Sequence, residues 1–75
     1  MTTNDMIVKL SARNQLKGRI VTVTRGATTS HVRIDIGGAI VTSSITNDAI
    51  DELGLAVGQH AYAVIKASDV MVAID

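Results

Sequence analysis

Apolar and polar residues alternate along much of this chain, and the alternation predicts β-strands. The clearest example is residues 31–36, in which valine and isoleucine alternate with polar residues, so that one face of the strand is apolar. Gly37 and Gly38 follow at once and predict a tight hairpin turn, because such turns need positive φ angles that glycine adopts without strain. Residues 39–45 are then the returning strand.

Further β-prone runs lie on both sides of this hairpin. Residues 6–10 and 16–24 precede it, and residues 60–66 and 70–74 follow it. Both faces of the last two runs are mostly apolar. We therefore expect one face of residues 60–66 to pack in the core and the other to meet a neighbouring subunit, and we expect residues 70–74 to be covered on both faces.

Residues 46–54 change to a helical pattern. Thr46 is the predicted N-cap residue, acidic residues occupy the first turns, and Gly54 is the predicted stop. Counted from residue 16, this helix falls between the third and fourth strands, as in the OB-fold. The order of elements predicts a mostly β, five-stranded OB-like Greek-key barrel with one short α-helix and a short N-terminal strand, in a single domain over residues 1–75.

The composition favours an oligomer. A chain of 75 residues buries only about 60% of the surface that its unfolded form exposes. It has no Cys, Phe or Trp to reinforce so small a core, yet 47% of its residues are hydrophobic. Association between copies is the remaining means of covering that apolar surface.

Charge and side-chain chemistry argue against several classes of function. Seven basic residues balance seven acidic ones, and Tyr62 is the one aromatic residue, so we expect no nucleic-acid binding. His31 and His60 lack a zinc-ligand spacing, and the acidic residues cluster on the predicted helix, so we expect no enzyme activity. With neither a signal peptide nor a membrane-spanning run in the sequence, we expect a cytoplasmic protein.

Two corners rich in hydrogen-bond donors are the candidate chemistry. Residues 11–15 carry a hydroxyl, a guanidinium and two carboxamides, and residues 66–69 carry an ammonium and a hydroxyl. Each corner ends an apolar strand, and the two together would present Arg13, Lys66, Ser11, Ser68 and several backbone N–H groups to one anion. The alternative interpretation is two ordinary solvated turns.

These corners, with Ile45-Thr46 before the helix, resemble the molbindins, which are small molybdate-binding proteins also described as molybdenum-pterin-binding (Mop or TOBE type). The resemblance runs from about Met6 to Ile74. Closely similar domains occur in molybdate-responsive regulators and in molybdate-transporter ATPases. The resemblance implies an OB-like barrel, a homohexamer built as a trimer of dimers, and oxyanions held at subunit interfaces. The implied ligand is molybdate, with tungstate as an alternative.

The resemblance also implies the binding residues. In the first corner these are Ser11, Ala12, Arg13 and Asn14, and in the second corner Lys66, Ala67 and Ser68. Another subunit would contribute Thr46. Some relatives have a serine three residues after this threonine, where the chain has Ala49, so one hydroxyl donor of those relatives is absent from this sequence.

The expected function is therefore molybdate storage or homeostasis without catalysis. One alternative is a ligand-responsive interaction or regulatory module of molybdate transport or gene regulation. A nucleic-acid-binding OB-type barrel is the other alternative. A donor-only site suits a fully deprotonated tetrahedral dianion, because the proton of hydrogen phosphate would find no acceptor there.

Overall fold

Our computed structural model describes residues 11–75 of the chain. These residues form four antiparallel strands and one short helix. The strand predicted over residues 6–10 lies outside this part. The strands are β1 (Asn14–Arg25), β2 (Thr29–Asp35), β3 (Ile40–Thr46) and β4 (His60–Ile65), with helix α1 (Asn47–Leu53) between β3 and β4 and a 3₁₀ turn at Ala67–Asp69.

The strands form one sheet in the order β3-β2-β1-β4, in which β1 has two different neighbours. Its first half pairs with β4, starting from Asn14 opposite Ile65, and its second half pairs with β2 as far as Arg25 opposite Ser30. The register of β1 against β2 shifts between Ile20 and Thr22, and such a bulge bends a strand. The sheet therefore curves into a half-barrel, which confirms the mostly β, OB-like prediction.

The core lies on the concave side of this sheet. Alternate residues of β2 are buried, as its alternating sequence predicts. The helix contributes one buried side chain, which packs against the strands. The central cluster consists of Ile20, Val32, Ile34, Ile50 and Ala63.

The predicted hairpin and helix are both confirmed. Gly37 and Gly38 have φ angles of 96° and 94°, and Ile36 N–H donates to the Ala39 carbonyl across the turn, at 3.0 Å. Thr46 is the N-cap of α1, and Gly54 ends the helix in the left-handed conformation with φ 64°.

The prediction of a fifth strand over residues 70–74 is wrong for the described chain. After β4 the backbone turns through Ala67–Asp69, and the residues that follow pair with no strand of residues 11–75. Met71, Val72 and Ile74 are 94%, 89% and 92% exposed. Apolar sequence alone does not make a strand, because strands are stabilised by pairing with a neighbour.

The half-barrel stays open between the two outer strands. Within the described residues no ladder joins β3 to β4. A gap of about 190 Å³ separates residues 41–43 of β3 from residues 62–65 of β4. It adjoins a larger open cleft of about 600 Å³, lined mainly by apolar side chains such as Ile20, Val32, Ile45 and Tyr62. Within residues 11–75 the sheet is therefore not closed into a complete barrel.

Replacing Thr22 by valine should stabilise the protein. Thr22 Oγ1 is shielded from solvent without a hydrogen-bond partner among the described residues, and an unpaired buried hydroxyl is destabilising. We expect the free energy of unfolding to rise by about 1 kcal/mol, measured by chemical denaturation at one fixed protein concentration. Thr24→Val, at an exposed position of the same strand, should change it by less than about 0.5 kcal/mol. A loss of stability in Thr22→Val would mean that the hydroxyl is hydrogen-bonded after all.

Candidate functional site

The two donor-rich corners lie side by side at one end of the β1–β4 ladder. Asn14 and Ile65 are its terminal pair, Arg13 directly precedes Asn14, and Lys66 directly follows Ile65. Directly opposed residues of antiparallel strands have Cα atoms about 5 Å apart. The ladder therefore brings both cations to the same end of the β1–β4 strand pair.

Two side-chain hydrogen bonds hold the first corner in place. Asn14 Nδ2 donates to the Ile65 carbonyl at 3.1 Å and so joins the start of β1 to the end of β4. Gln15 Nε2 donates to the Ala12 carbonyl at 3.4 Å. Ala12 is buried and anchors the segment, whereas Ser11 and Arg13 on either side of it are exposed.

The second corner is a single 3₁₀ turn. The Asp69 N–H donates to the Lys66 carbonyl at 2.9 Å, and the Val70 N–H donates to the Ala67 carbonyl at 3.3 Å. The first N–H groups of such a turn have no acceptor within it, which leaves those of Ala67 and Ser68 available to a ligand. Lys66, Ala67 and Ser68 are all exposed.

The two corners carry a net positive charge, because Arg13 and Lys66 outnumber their one carboxylate, Asp69. Within residues 11–75 the ion pair that forms is Arg25–Asp51, at 3.0 Å, and it involves neither Arg13 nor Lys66. An arginine and a lysine held at one end of a strand pair attract an anion. Hydrogen bonds from charged donors are about twice as strong as those from neutral donors. The arrangement can therefore hold an oxyanion on its exposed side.

Thr46 lies at the opposite end of the sheet from these corners. It is paired with Thr29 in the β2–β3 ladder, close to the Arg25–Ser30 pair that ends the β1–β2 ladder. The 12 residues of β1 separate this end from Arg13, at about 3.3 Å per residue. Within one chain, Thr46 is far beyond hydrogen-bond distance of an anion bound at the two corners.

The Thr46 hydroxyl has one role inside the chain and can take a second. Its Oγ1 accepts a hydrogen bond from the Ala49 N–H at 3.1 Å, as an N-cap side chain does. A hydroxyl that accepts one bond still carries a proton to donate. Thr46 is exposed, so this proton is accessible to a ligand on another molecule.

Sequence reasoning missed two polar residues next to Thr46. Ser30 is buried and donates to the Asn47 side chain, which also bonds to the turn between β1 and β2. Ser30 lies two residues before Val32 on the buried face of β2. Extending the alternation of β2 by one step would have identified it as a polar residue in the core.

Between residues 11 and 75, no three His, Cys, Asp or Glu side chains lie close enough together to hold a metal ion. No helix in this part of the chain is long and apolar enough to cross a membrane.

Comparison with known proteins gives one consistent answer. The profile of the TOBE domain matches residues 10–72. A probable molybdenum-pterin-binding protein of Haemophilus influenzae is 48% identical over 69 residues, which cover 91% of this chain and 100% of the relative.

Solved structures agree with the sequence comparison. MopII from Clostridium pasteurianum superposes with a TM-score of 0.82 at 43% identity, over 88% of this chain and 100% of MopII. The cytoplasmic molybdate-binding protein ModG, crystallised with molybdate bound, superposes with a TM-score of 0.83 at 42% identity, over 93% of this chain and 50% of ModG.

Proposed function

We propose, from the premise that this chain belongs to the TOBE domain family and to its molybdenum-pterin-binding members, that it binds molybdate. One observation carries the proposal: the Asn14–Ile65 pair joins the two donor-rich corners, with Arg13 and Lys66 at the same end of the β1–β4 strand pair. The proposed ligands are Ser11, Ala12, Arg13, Asn14, Lys66, Ala67 and Ser68, together with Thr46 of another subunit.

The chemistry of the corners suits molybdate. This ion is a tetrahedral dianion without a proton at neutral pH, so all of its oxygens accept hydrogen bonds. The two cations and the backbone N–H groups supply donors only, and the hydroxyls can donate to the same anion. When every group of the site donates to the anion, the proton of hydrogen phosphate is left without an acceptor, at a cost of about 1–3 kcal/mol. Sulfate carries no such proton and must be discriminated by its smaller size, while tungstate has the same charge and shape as molybdate and should bind too.

Asn14 has a narrower role in this site than its neighbours. Its Nδ2 group already donates to the Ile65 carbonyl, so its main contribution is to hold the two corners together. We propose that Asn14 contacts the anion through the remaining polar groups of the residue. Arg13 and Lys66 provide the counter-charge.

We propose that the complete site lies between subunits of a homohexamer arranged as a trimer of dimers. The separation of Thr46 from the corners within one chain supports this arrangement. The exposed apolar residues 70–74 support it too, since packing them against the apolar cleft between β3 and β4 of a second copy would remove both surfaces from water. Association in this way would cover both the segment and the cleft.

The physiological role that we propose is cytoplasmic storage or homeostasis of the oxyanion, without catalysis, by a single domain over residues 1–75. A protein that holds an anion between identical subunits can take it up and release it by association alone.

Native mass spectrometry with molybdate, tungstate, sulfate and phosphate tests the proposal directly. We expect a hexamer that retains molybdate and tungstate and retains sulfate and phosphate at least tenfold less well. The spectrum reports subunit number, anion number and selectivity together. Tight molybdate binding by a monomer, or equal retention of all four anions, would contradict the proposed site.

A further inference from the structure

A network of polar groups joins the turn between β1 and β2 to the first residue of α1. The buried Ser30 hydroxyl donates to Asn47 Oδ1. Asn47 Nδ2 donates to the carbonyls of Gly26 and Ala27 at 3.1 and 3.3 Å. The Asn47 backbone N–H donates to the Thr28 carbonyl at 2.9 Å. One side chain and its own backbone thus hold the whole turn against the helix.

Burying the Ser30 hydroxyl of this network is energetically unfavourable, which suggests that the network has a function. Ser30 is a polar residue in a row of buried β2 side chains that continues with Val32 and Ile34. An apolar residue would bury the same position without requiring a partner, whereas a buried hydroxyl must be hydrogen-bonded. Fully satisfied polar networks give a structure a single rigid arrangement. The network fixes the position of Asn47 more strictly than apolar packing would.

The residue fixed next to this network is Thr46. Its backbone is held on one side by the β2–β3 ladder, where it pairs with Thr29, and on the other side by Asn47. Its side chain is oriented by the hydrogen bond from the Ala49 N–H. These contacts leave the exposed hydroxyl of Thr46 little freedom other than rotation of its proton.

We propose that Asn47 and Ser30 are positioning residues of the oxyanion site, which preorganise the Thr46 hydroxyl before it meets the anion bound by another subunit. This inference rests on the proposed function. A donor that is already held in its bound orientation loses little conformational freedom on binding, and so contributes more affinity. The network does not contact the anion itself. It acts on the anion by fixing the position of Thr46.

A second connection between the same two elements supplies a matched control. Arg25 and Asp51 form an exposed ion pair, with Arg25 Nη1 at 3.0 Å from Asp51 Oδ1. Its hydrogen bond raises the pKa of Arg25. Exposed ion pairs contribute little to stability. Breaking this pair loosens the attachment of the turn to α1 without touching Asn47 or Thr46.

A double-mutant cycle on molybdate affinity, measured by titration calorimetry, tests the positioning role. We expect Thr46→Val to weaken binding about 10-fold and Asn47→Ala about 5-fold. The double variant should bind no more weakly than Thr46→Val, because Asn47 acts through that hydroxyl. Asp51→Asn should stay within about twofold of the wild type, and its effect should add to that of Thr46→Val.

Additive effects of Asn47→Ala and Thr46→Val, or unchanged affinity in Asn47→Ala, would overturn the positioning role while leaving molybdate binding by the wild type intact. A wild-type protein that binds no molybdate would overturn the proposed function and this inference together. Circular dichroism checks that each variant folds. If Asn47→Ala does not fold, the cycle of Ser30→Ala with Thr46→Val decides by the same criterion, because Ser30→Ala keeps the bonds to Gly26 and Ala27.

Discussion

Replacing Arg13 by alanine should weaken molybdate binding by about 10- to 100-fold, which corresponds to the loss of charge-assisted hydrogen bonds of about 1.5–3 kcal/mol. Arg13 is exposed and directly precedes the terminal Asn14–Ile65 pair, so the change removes a proposed ligand without disturbing the core. The effect should appear in calorimetric titration with molybdate. Lys66→Ala should reduce affinity in the same direction.

Arg33 provides the matched control for this experiment. It is an exposed arginine in the middle of β2, away from both corners, and Arg33→Ala removes the same charge from the protein. We expect this variant to bind molybdate within about threefold of the wild type, because a distant exposed charge is largely screened. Equal losses in Arg13→Ala and Arg33→Ala would mean that net charge, and not a site at the corners, governs binding.

Removal of residues 70–75 should abolish the hexamer and with it almost all molybdate binding. These residues carry the most exposed apolar side chains of the described chain, Met71, Ile74 and Val72, and burying each large apolar side chain contributes about 1.5–3 kcal/mol. Without them each chain loses the apolar segment that we propose packs between β3 and β4 of a second copy. Native mass spectrometry should show monomers, and titration should show little heat.

Met71→Asp is a milder form of the same test, since it keeps the full length of the segment but introduces a charge that is costly to bury. We expect it to shift the population toward smaller species. Arg33→Ala, at an exposed position of β2 outside both the segment and the corners, should leave the hexamer in place. A hexamer that survives the truncation and still binds molybdate would refute the proposed role of this segment.

Local sequence signals predicted the elements whose causes are themselves local. Gly37 and Gly38 define the hairpin because their φ angles are properties of two adjacent residues. Thr46 and Gly54 define the ends of α1 for the same reason. The donor-rich corners were recognised from sequence by their side chains, whereas the pairing of β1 with β4 that places them side by side comes from the structure.

Features that depend on pairing across the sheet were harder to predict. Residues 70–74 have the composition of a strand, but whether they form one depends on an available edge, which sequence does not reveal. The distance from Thr46 to Arg13 depends on the direction of three successive strands. The Ser30–Asn47 contact joins residues 17 positions apart, and no periodic pattern marks such a pair.

In the proposed site, the position of Thr46 at the far end of the sheet couples anion binding to subunit assembly. If each complete site needs two chains, the apparent dissociation constant for molybdate depends on protein concentration as well as anion concentration. By reciprocal linkage, molybdate must strengthen subunit association by the same factor that association strengthens molybdate binding. Dilution of the protein would then release bound molybdate, and a higher molybdate concentration would promote assembly of free chains.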